Sequence, residues 1–513
     1  MAEQNLGICT SCRAIVPVEH VLREGRVYLR KSCEECGVSE SLVSSDAATW
    51  RRKRHVYRYD SSEGPTCNLD CTTCRLNHGP AMVFVDVTNR CNMNCPICIA
   101  NIPAMGFQFE PPLEYFRRIF AFAGNMKPRP RINLFGGEPT VRDDLIQIIR
   151  LARRYRLSPR IVTNGLRLAD EDYCRRLCSY KVPLLFALDG LSVEVYDRLR
   201  HNPAAFGRKM KALDNLRRYS RRRNTIMACV ARRINEHEMG RLIQYCHDNR
   251  GMIKAMHLIP LTETWEEGEF ETDVTTTIED VERIIDGAFP DATVEFWSAG
   301  LPGRLAPAVR FFGSARLTFR AVHPNCESMT MLFSDGARYR PLSEFTRGSV
   351  NDLLAEMVDR VLELEPFLAT LDPRRPAHRA LAIFRCAGAA AGRLLRFIRW
   401  RALMKGNPLV AMAGVLLDLL RGRRPKDALR ANTRVGEVLR MVVLPFEEYH
   451  SVESERLRHC RAAFAYLDPE TDEPRLVPVC SWSLVREDLQ RRISARWGIA
   501  EAAGTRAGGR NGP

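Results

Sequence analysis

The sequence predicts an α/β protein. Its central part is a barrel or partial barrel of parallel strands, with a small metal-bound module in front and an α/β extension behind. Three observations predict this. Apolar strand-like runs alternate with amphipathic helical runs over residues 81–264, a pattern that parallel strands joined by crossover helices produce. Ten of the eighteen cysteines lie between Cys9 and Cys98, in short-spaced groups. Residues 426–498 resume a short α/β pattern after a basic helical stretch.

Bulk properties set the frame. A chain of 513 residues is too long for one ordinary domain. Its 45% hydrophobic and 27% charged residues describe a globular protein with a core. The start, Met1 to Gly7, has neither a basic nor an apolar leader region, so no signal peptide is expected. No apolar run reaches the roughly 18 uncharged residues of a spanning helix. Cytoplasmic localisation is therefore expected. In such a compartment clustered cysteines are metal ligands or reactive groups rather than disulfides. The net charge of +16 favours an anionic partner.

The elements follow in order. Residues 1–60 hold Cys9-x2-Cys12 and Cys33-x2-Cys36 around a β-rich run, Val27-Tyr28-Leu29. Two such knuckles make a rubredoxin/zinc-ribbon-like module that needs its metal to fold. Cysteine ligands alone do not separate Fe from Zn there. Residues 61–80 are turn-rich and hold Cys67, Cys71 and Cys74. Strands are expected at Met82–Val87, Arg131–Phe135, Arg160–Thr163, Leu184–Leu188, Thr225–Val230 and Lys254–Ile259. Helices are expected at Leu113–Ala123, Asp143–Tyr155, Asp170–Tyr180, Val193–Arg200, Lys209–Arg221 and Glu236–Asn249. Residues 265–375 are mixed. Residues 376–425 form a basic amphipathic helical segment punctuated by Arg385, Arg393, Arg396, Arg399 and Arg401, then Arg421, Arg423 and Arg424. A C-terminal α/β element over 426–498 precedes a Gly- and Ala-rich tail, 499–513, expected to be disordered.

The central chemistry lies in Cys91-Asn-Met-Asn-Cys95-Pro-Ile-Cys98, directly after the first expected barrel strand. A cubane cluster has four irons, and three thiolates leave one iron open to a substrate. A second element, Gly136-Gly137-Glu138-Pro139, ends the next strand. Its glycines let backbone approach a ligand, and Glu138 offers an acceptor to an ammonium group. A zinc knuckle is the competing reading of the triad, but knuckles use paired C-x2-C units.

These motifs closely resemble the radical S-adenosylmethionine (SAM) superfamily over residues 80–260. The resemblance implies a partial (β/α)6 TIM-like barrel. It also implies a 4Fe-4S cluster on Cys91, Cys95 and Cys98 that cleaves SAM to a 5′-deoxyadenosyl radical. It places Gly136, Gly137 and Glu138 by the SAM amine and makes Asn164 and Asp189 candidate SAM contacts. Asp189 reads equally well as a strand-ending turn residue. Arg232 or Arg233 would pair with the SAM carboxylate. A serine common near Leu188-Asp189-Gly190 is replaced by Ala187.

Three further features resemble the archaeal tetraether synthases and the related pterin dimethyltransferases. They are the four-cysteine module, the duplicate triad Cys67-x3-Cys71-x2-Cys74, and a late trio, Cys326, Cys460 and Cys480. The resemblance implies one or two auxiliary 4Fe-4S clusters and a reduced ferredoxin or flavodoxin as electron donor. The substrate it implies is a lipid, coupled at sp3 carbons, or a small pterin-like molecule that is methylated. Residues 376–425 would then meet the inner membrane surface, or else form a core hairpin with a solvated basic face. Unrelated buried thiols remain the bland reading of the late trio. Cys174, Cys178, Cys229, Cys246 and Cys386 are read as packing residues. A zinc-ribbon nucleic-acid-binding protein is a third reading. It lacks interleaved aromatic and basic residues along the ribbon, and no nucleic-acid partner is expected.

Overall fold

The computed structural model describes residues 4–62, 65–71, 74, 79–263, 270–312, 322–421, 423 and 425–499. The expected disordered tail and Arg424 lie outside them, apart from residue 499.

The front module is a four-stranded antiparallel sheet, β1 (Leu6–Ile8), β2 (Ile15–Arg23), β3 (Arg26–Cys33) and β4 (Gly37–Ser44), in that spatial order. The β2–β3 hairpin turns on Glu24 and Gly25, both with positive φ, which matches the twist of a two-residue hairpin. Strict alternation buries Val27, Leu29, Lys31 and Cys33 on one face of β3. The buried Lys31 is satisfied by the carbonyls of Ile8, at 2.9 Å, and Tyr449. Asp46 caps the following helix, Ala47–Tyr57, accepting from the amides of Ala48 and Thr49.

The main body is one twelve-stranded sheet. At its centre run β5 (Met82–Thr88), β6 (Arg131–Gly136), β7 (Ser158–Thr163), β8 (Leu184–Ala187), β9 (Asn224–Val230) and β10 (Ile253–Pro260). They pair in sequence order and all in parallel, the arrangement expected of a partial (β/α)6 barrel. Their residues are near-continuously buried, as strands covered on both faces must be. The connecting helices Leu113–Asn125, Leu145–Arg154, Glu171–Ser179, Ala204–Tyr219 and Met239–Asp248 lay their apolar faces on the same core.

The remaining strands are β11 (Trp297–Ser298), β12 (Ser328–Ser334), β13 (Tyr339–Pro341), β14 (Val438–Val443), β15 (Ala462–Leu467) and β16 (Pro474–Pro478). The C-terminal element, expected over 426–498 as a unit of its own, instead extends both sides of the barrel sheet. β14 pairs in parallel with β10, and β15 in parallel with β5. Barrel edge strands present unpaired backbone, and these additions cover it. β12 joins β14 and β16 joins β15, both antiparallel.

The final helix, Val479–Arg496, packs against β15 and β16 and latches onto β5. Asp86 of β5 accepts from Trp482 Nε1 at 2.9 Å and from Gln490 Nε2 at 2.7 Å, and it pairs with Arg486 Nε at 3.0 Å. The expected segment 376–425 forms helices Pro376–Phe397, Trp400–Leu403 and Pro408–Leu420, and its helical region runs on through Pro425–Asn432.

Candidate active site

The C-terminal ends of the parallel strands converge on a cavity of about 180 Å³, where ligand sites of such sheets lie. Cys91, Cys95 and Cys98 line it from the loop after β5. Gly136, Gly137 and Glu138 line it after β6, Asn164 after β7, and Ala187 and Asp189 after β8. Sequence-distant residues are thus brought to one wall by strand order alone.

Strand β6 is stitched to the start of the triad loop. Gly137 N donates to Thr88 O and Glu138 N to Arg90 O, each at 2.8 Å. A Cβ on Gly136 would run into the Thr88 carbonyl, and one on Gly137 into that of Arg90. Gly136 also has φ +139, where side chains are strained. The glycines therefore bring two strand ends into contact.

Glu138 was expected to meet an ammonium group. It lines the cavity wall, and its carboxylate is also held by protein donors. Oε1 accepts from Thr140 N, Thr140 Oγ1 and Thr163 Oγ1, and Oε2 from Asn164 N at 2.6 Å. Burial still raises its pKa, against those bonds. Pro139 begins a short 3-10 turn behind it. Asn164 Nδ2 donates to Asn92 Oδ1 at 2.8 Å, which holds the triad loop against β7.

Asp189, also expected to be a ligand contact, is committed to a bidentate pair with Arg200, at 2.9 and 3.0 Å. It also accepts from Cys229 N. Burial opposes its charge, but Arg200 holds the carboxyl below its ordinary range. Arg232 is not on the cavity wall; it lies 3.6 Å from Asp280. Arg233 pairs with Asp273. The arginine on the wall is Arg200, which no spacing signal marked. Lys209 was missed too. Its buried ammonium donates to Asn164 O and Ala187 O, at 2.7 and 2.6 Å, and burial lowers its pKa to about 8. Cys229, read as packing, also faces this cavity.

Burial pushes the Cys91 thiol up to about 12 and raises Cys95 against the pull of Arg200. Thiols so raised ionise only on binding a metal, and metal binding there releases protons. The donor set discriminates between metals. A tetrahedral ion at about 2.3 Å from each sulfur needs sulfurs close together. The thiols of Cys9, Cys12, Cys33 and Cys36 all lie within 4.8 Å of one another, with Cys12 and Cys33 3.6 Å apart. Among the described residues no other set of three or more cysteines is so close. The thiols of the barrel triad do not all lie within 4.8 Å of one another, so they do not form such a single-ion site.

Residues 85–246 match the family model of the radical SAM superfamily. These residues form a radical SAM domain. Residues 1–45 of the enzyme match the HMPTM N-terminal zinc ribbon domain, on the module whose four thiols converge. The enzyme is 24% identical to a 7,8-dihydro-6-hydroxymethylpterin dimethyltransferase of Methanocaldococcus jannaschii, over 96% of each chain. It is 25% identical over 147 residues to an AdoMet-dependent heme synthase of Methanosarcina barkeri, covering 28% of this chain and 41% of that one. Streptococcus suis SuiB bound to S-adenosylmethionine superposes on 40% of this chain and 46% of its own, with TM-score 0.32 and 17% identity. The enzyme's cofactors are accordingly a 4Fe-4S cluster and SAM, and Cys91, Cys95 and Cys98 have the donor chemistry to hold the cluster.

The other cysteine groups lie apart from this cavity. Cys326, Cys460 and Cys480 come from three distant stretches, and each thiol is raised by burial; Cys326 feels the charge of Cys460, and Cys480 that of both others. Cys480 Sγ accepts from Glu447 N at 3.4 Å. Cys71 is pushed up to about 12 by burial and lies beside Ser481 and, electrostatically, Cys67 and Cys74. The first turn of the last helix, Cys480-Ser481, therefore stands between the two groups. Cys174 and Cys178 are buried with sulfurs 4.0 Å apart, as packing residues.

Proposed function

We propose that the enzyme removes a hydrogen atom from an unactivated C–H bond of a lipid chain and forms a carbon–carbon bond there. The observation that carries this reading is the wall of the cavity above the triad. Ile97, Ile99, Phe135, Val162, Met227, Ile259 and Leu261 line it, and an alkyl chain matches such a surface better than a polar ring does.

When bound, the cluster and SAM supply the electron and the fragment that takes the hydrogen. The chain's own residues do the rest. Cys91, Cys95 and Cys98 hold the cluster. Gly136, Gly137 and Asn164 close the strand ends around the cofactor. The Asp189–Arg200 pair and Lys209 keep the polar side of the cavity rigid. Cys67, Cys71 and Cys74 hold one auxiliary cluster, and Cys326, Cys460 and Cys480 a second, in the route that delivers reducing equivalents from a ferredoxin or flavodoxin.

The helices over 376–432 supply the approach to lipid. Residues 376–425 carry ten basic residues and one acidic, nine of the sixteen net positive charges. Phe384, Leu409 and Val410 are 75%, 76% and 70% exposed on the same helices. Among the described residues no helix is long and apolar enough to cross a membrane, so this face would lie on an anionic surface, at the inner leaflet.

A second reading, methyl transfer to a pterin, is favoured by the full-length likeness to the M. jannaschii dimethyltransferase. One experiment separates them. Anaerobically reconstituted enzyme with dithionite and SAM should release 5′-deoxyadenosine. A deletion strain should lose chain-joined lipids and keep its pterins methylated. Unchanged lipids with an unmethylated pterin would transfer the assignment to the second reading.

A further inference from the structure

Beside the late cysteine trio stands a carboxylate with no assigned purpose. Glu327 follows Cys326 directly, at the start of β12. Its Oε2 is buried and makes no hydrogen bond. Among the described residues no ion pair compensates it, and burial by itself pushes its carboxyl up to about 8. A carboxyl left so stays protonated near neutral pH unless a cation binds it. The carboxylates near the barrel triad differ. Glu138 accepts four hydrogen bonds and Asp189 is clasped by Arg200.

The position of Glu327 is informative. It adjoins Cys326 in the chain, and its charge is felt by both Cys326 and Cys460. Arg456 is near as well. It lies 2.7 Å from Glu447, and its charge is felt by Cys326. Three thiols and one carboxylate, with a cation alongside, make the donor set of a site in which every iron has a protein ligand. Hard oxygen donors and thiolates both bind iron.

We propose that Glu327 is the fourth protein ligand of an iron–sulfur cluster held by Cys326, Cys460 and Cys480. This rests on the reading of that trio as a cluster site. Binding forms one iron–oxygen bond, leaves the carboxylate ionised and changes no oxidation state. A site closed in this way transfers electrons and takes up no outside ligand, unlike the triad at Cys91, Cys95 and Cys98.

The test uses full-length protein with Cys91, Cys95 and Cys98 all changed to Ala, so that the SAM-cleaving cluster does not contribute. Iron, sulfide and the EPR spectrum are measured after anaerobic reconstitution and again after mild oxidation. In this background Cys326→Ser should lose about four irons per chain. Glu327→Gln, which keeps the side chain's shape, should lose about one iron on oxidation and gain the signal of a three-iron cluster. Glu327→Cys should restore the iron and remove that signal. If Cys326→Ser leaves the iron content unchanged, the cluster itself is absent and the reading beneath the proposal fails. If Cys326→Ser loses iron but Glu327→Gln keeps the parent's iron and spectrum after oxidation, the cluster stands and Glu327 is not its ligand.

Discussion

At the residue scale the cavity wall divides into groups that bind and groups that brace. Glu138 and Asp189 contribute to the brace: each carboxylate accepts from protein donors. The triad thiols are the groups left to a metal. Cys91→Ala should therefore abolish 5′-deoxyadenosine formation and remove about four irons per chain. Cys9→Ala should leave SAM cleavage measurable and lower thermal stability, because that site folds a module rather than performing the chemistry. Retained cleavage in the Cys91 variant would mean that the wrong triad has been assigned. The triad was legible in the sequence because its ligands are contiguous. Arg200 was not, because it ends the helix Val193–Arg200 after β8 and only the fold brings it to Cys95 in the loop after β5.

At the element scale two surfaces invite measurement. The front module is clasped to the chain's far end by His20 on β2. Its Nε2 lies 3.1 Å from Glu453. Burial works against the charged ring, but Glu453 overrides it and the His20 pKa lies above its ordinary value. Burial works against ionised Glu453 as well, and His20 brings it down to about 2. A raised histidine contributes stability that is full below its unfolded pKa of about 6.5 and fades as pH rises through the folded value. The depressed carboxyl contributes above about 4.5 and fades as pH falls through its folded value. The clasp is thus strongest between about pH 4.5 and 6.5. The melting-temperature deficit of His20→Gln should be largest there and shrink toward alkaline pH. A deficit that grows with pH would contradict the ion pair.

The second surface is the helical region from residue 376. Sedimentation with vesicles rich in anionic lipid should carry the enzyme down, and added salt should release it. Phe384→Asp with Leu409→Asp should weaken binding by at least about tenfold. Equal binding to neutral vesicles, or none to anionic ones, would leave these helices without a membrane role. The helices themselves were legible from periodicity. Whether their apolar residues faced a core or solvent was not, since a 3.6-residue repeat reads the same in both cases.

At the scale of the whole molecule the two ends of the chain close around the barrel. The last helix ties β5 to the triad loop: Arg486 pairs with Asp86 and its Nη1 donates to Ala100 O at 3.0 Å. Removing one partner of a buried pair leaves the other uncompensated, at a cost of about 3–5 kcal/mol. Asp86→Ala should therefore lower the unfolding free energy by that amount and slow SAM cleavage, although residue 86 touches no cofactor. An unaltered denaturation midpoint would show that the latch carries no load.

What the sequence determined by itself was local. The spacing of Cys91, Cys95 and Cys98, the glycines that end β6 and the alternation of strands and helices are all written within a few residues of each other, where backbone geometry permits few outcomes. The six central strands consequently lie close to where periodicity places them. Only the tertiary structure decided the flanking of the barrel by β14 and β15 and the pairing of Asp189 with Arg200. Those pairings close loops of very different length, and the entropy of closure grows so slowly with length that distant and near partners compete almost equally. Packing selects among them, and packing leaves no repeat in the sequence.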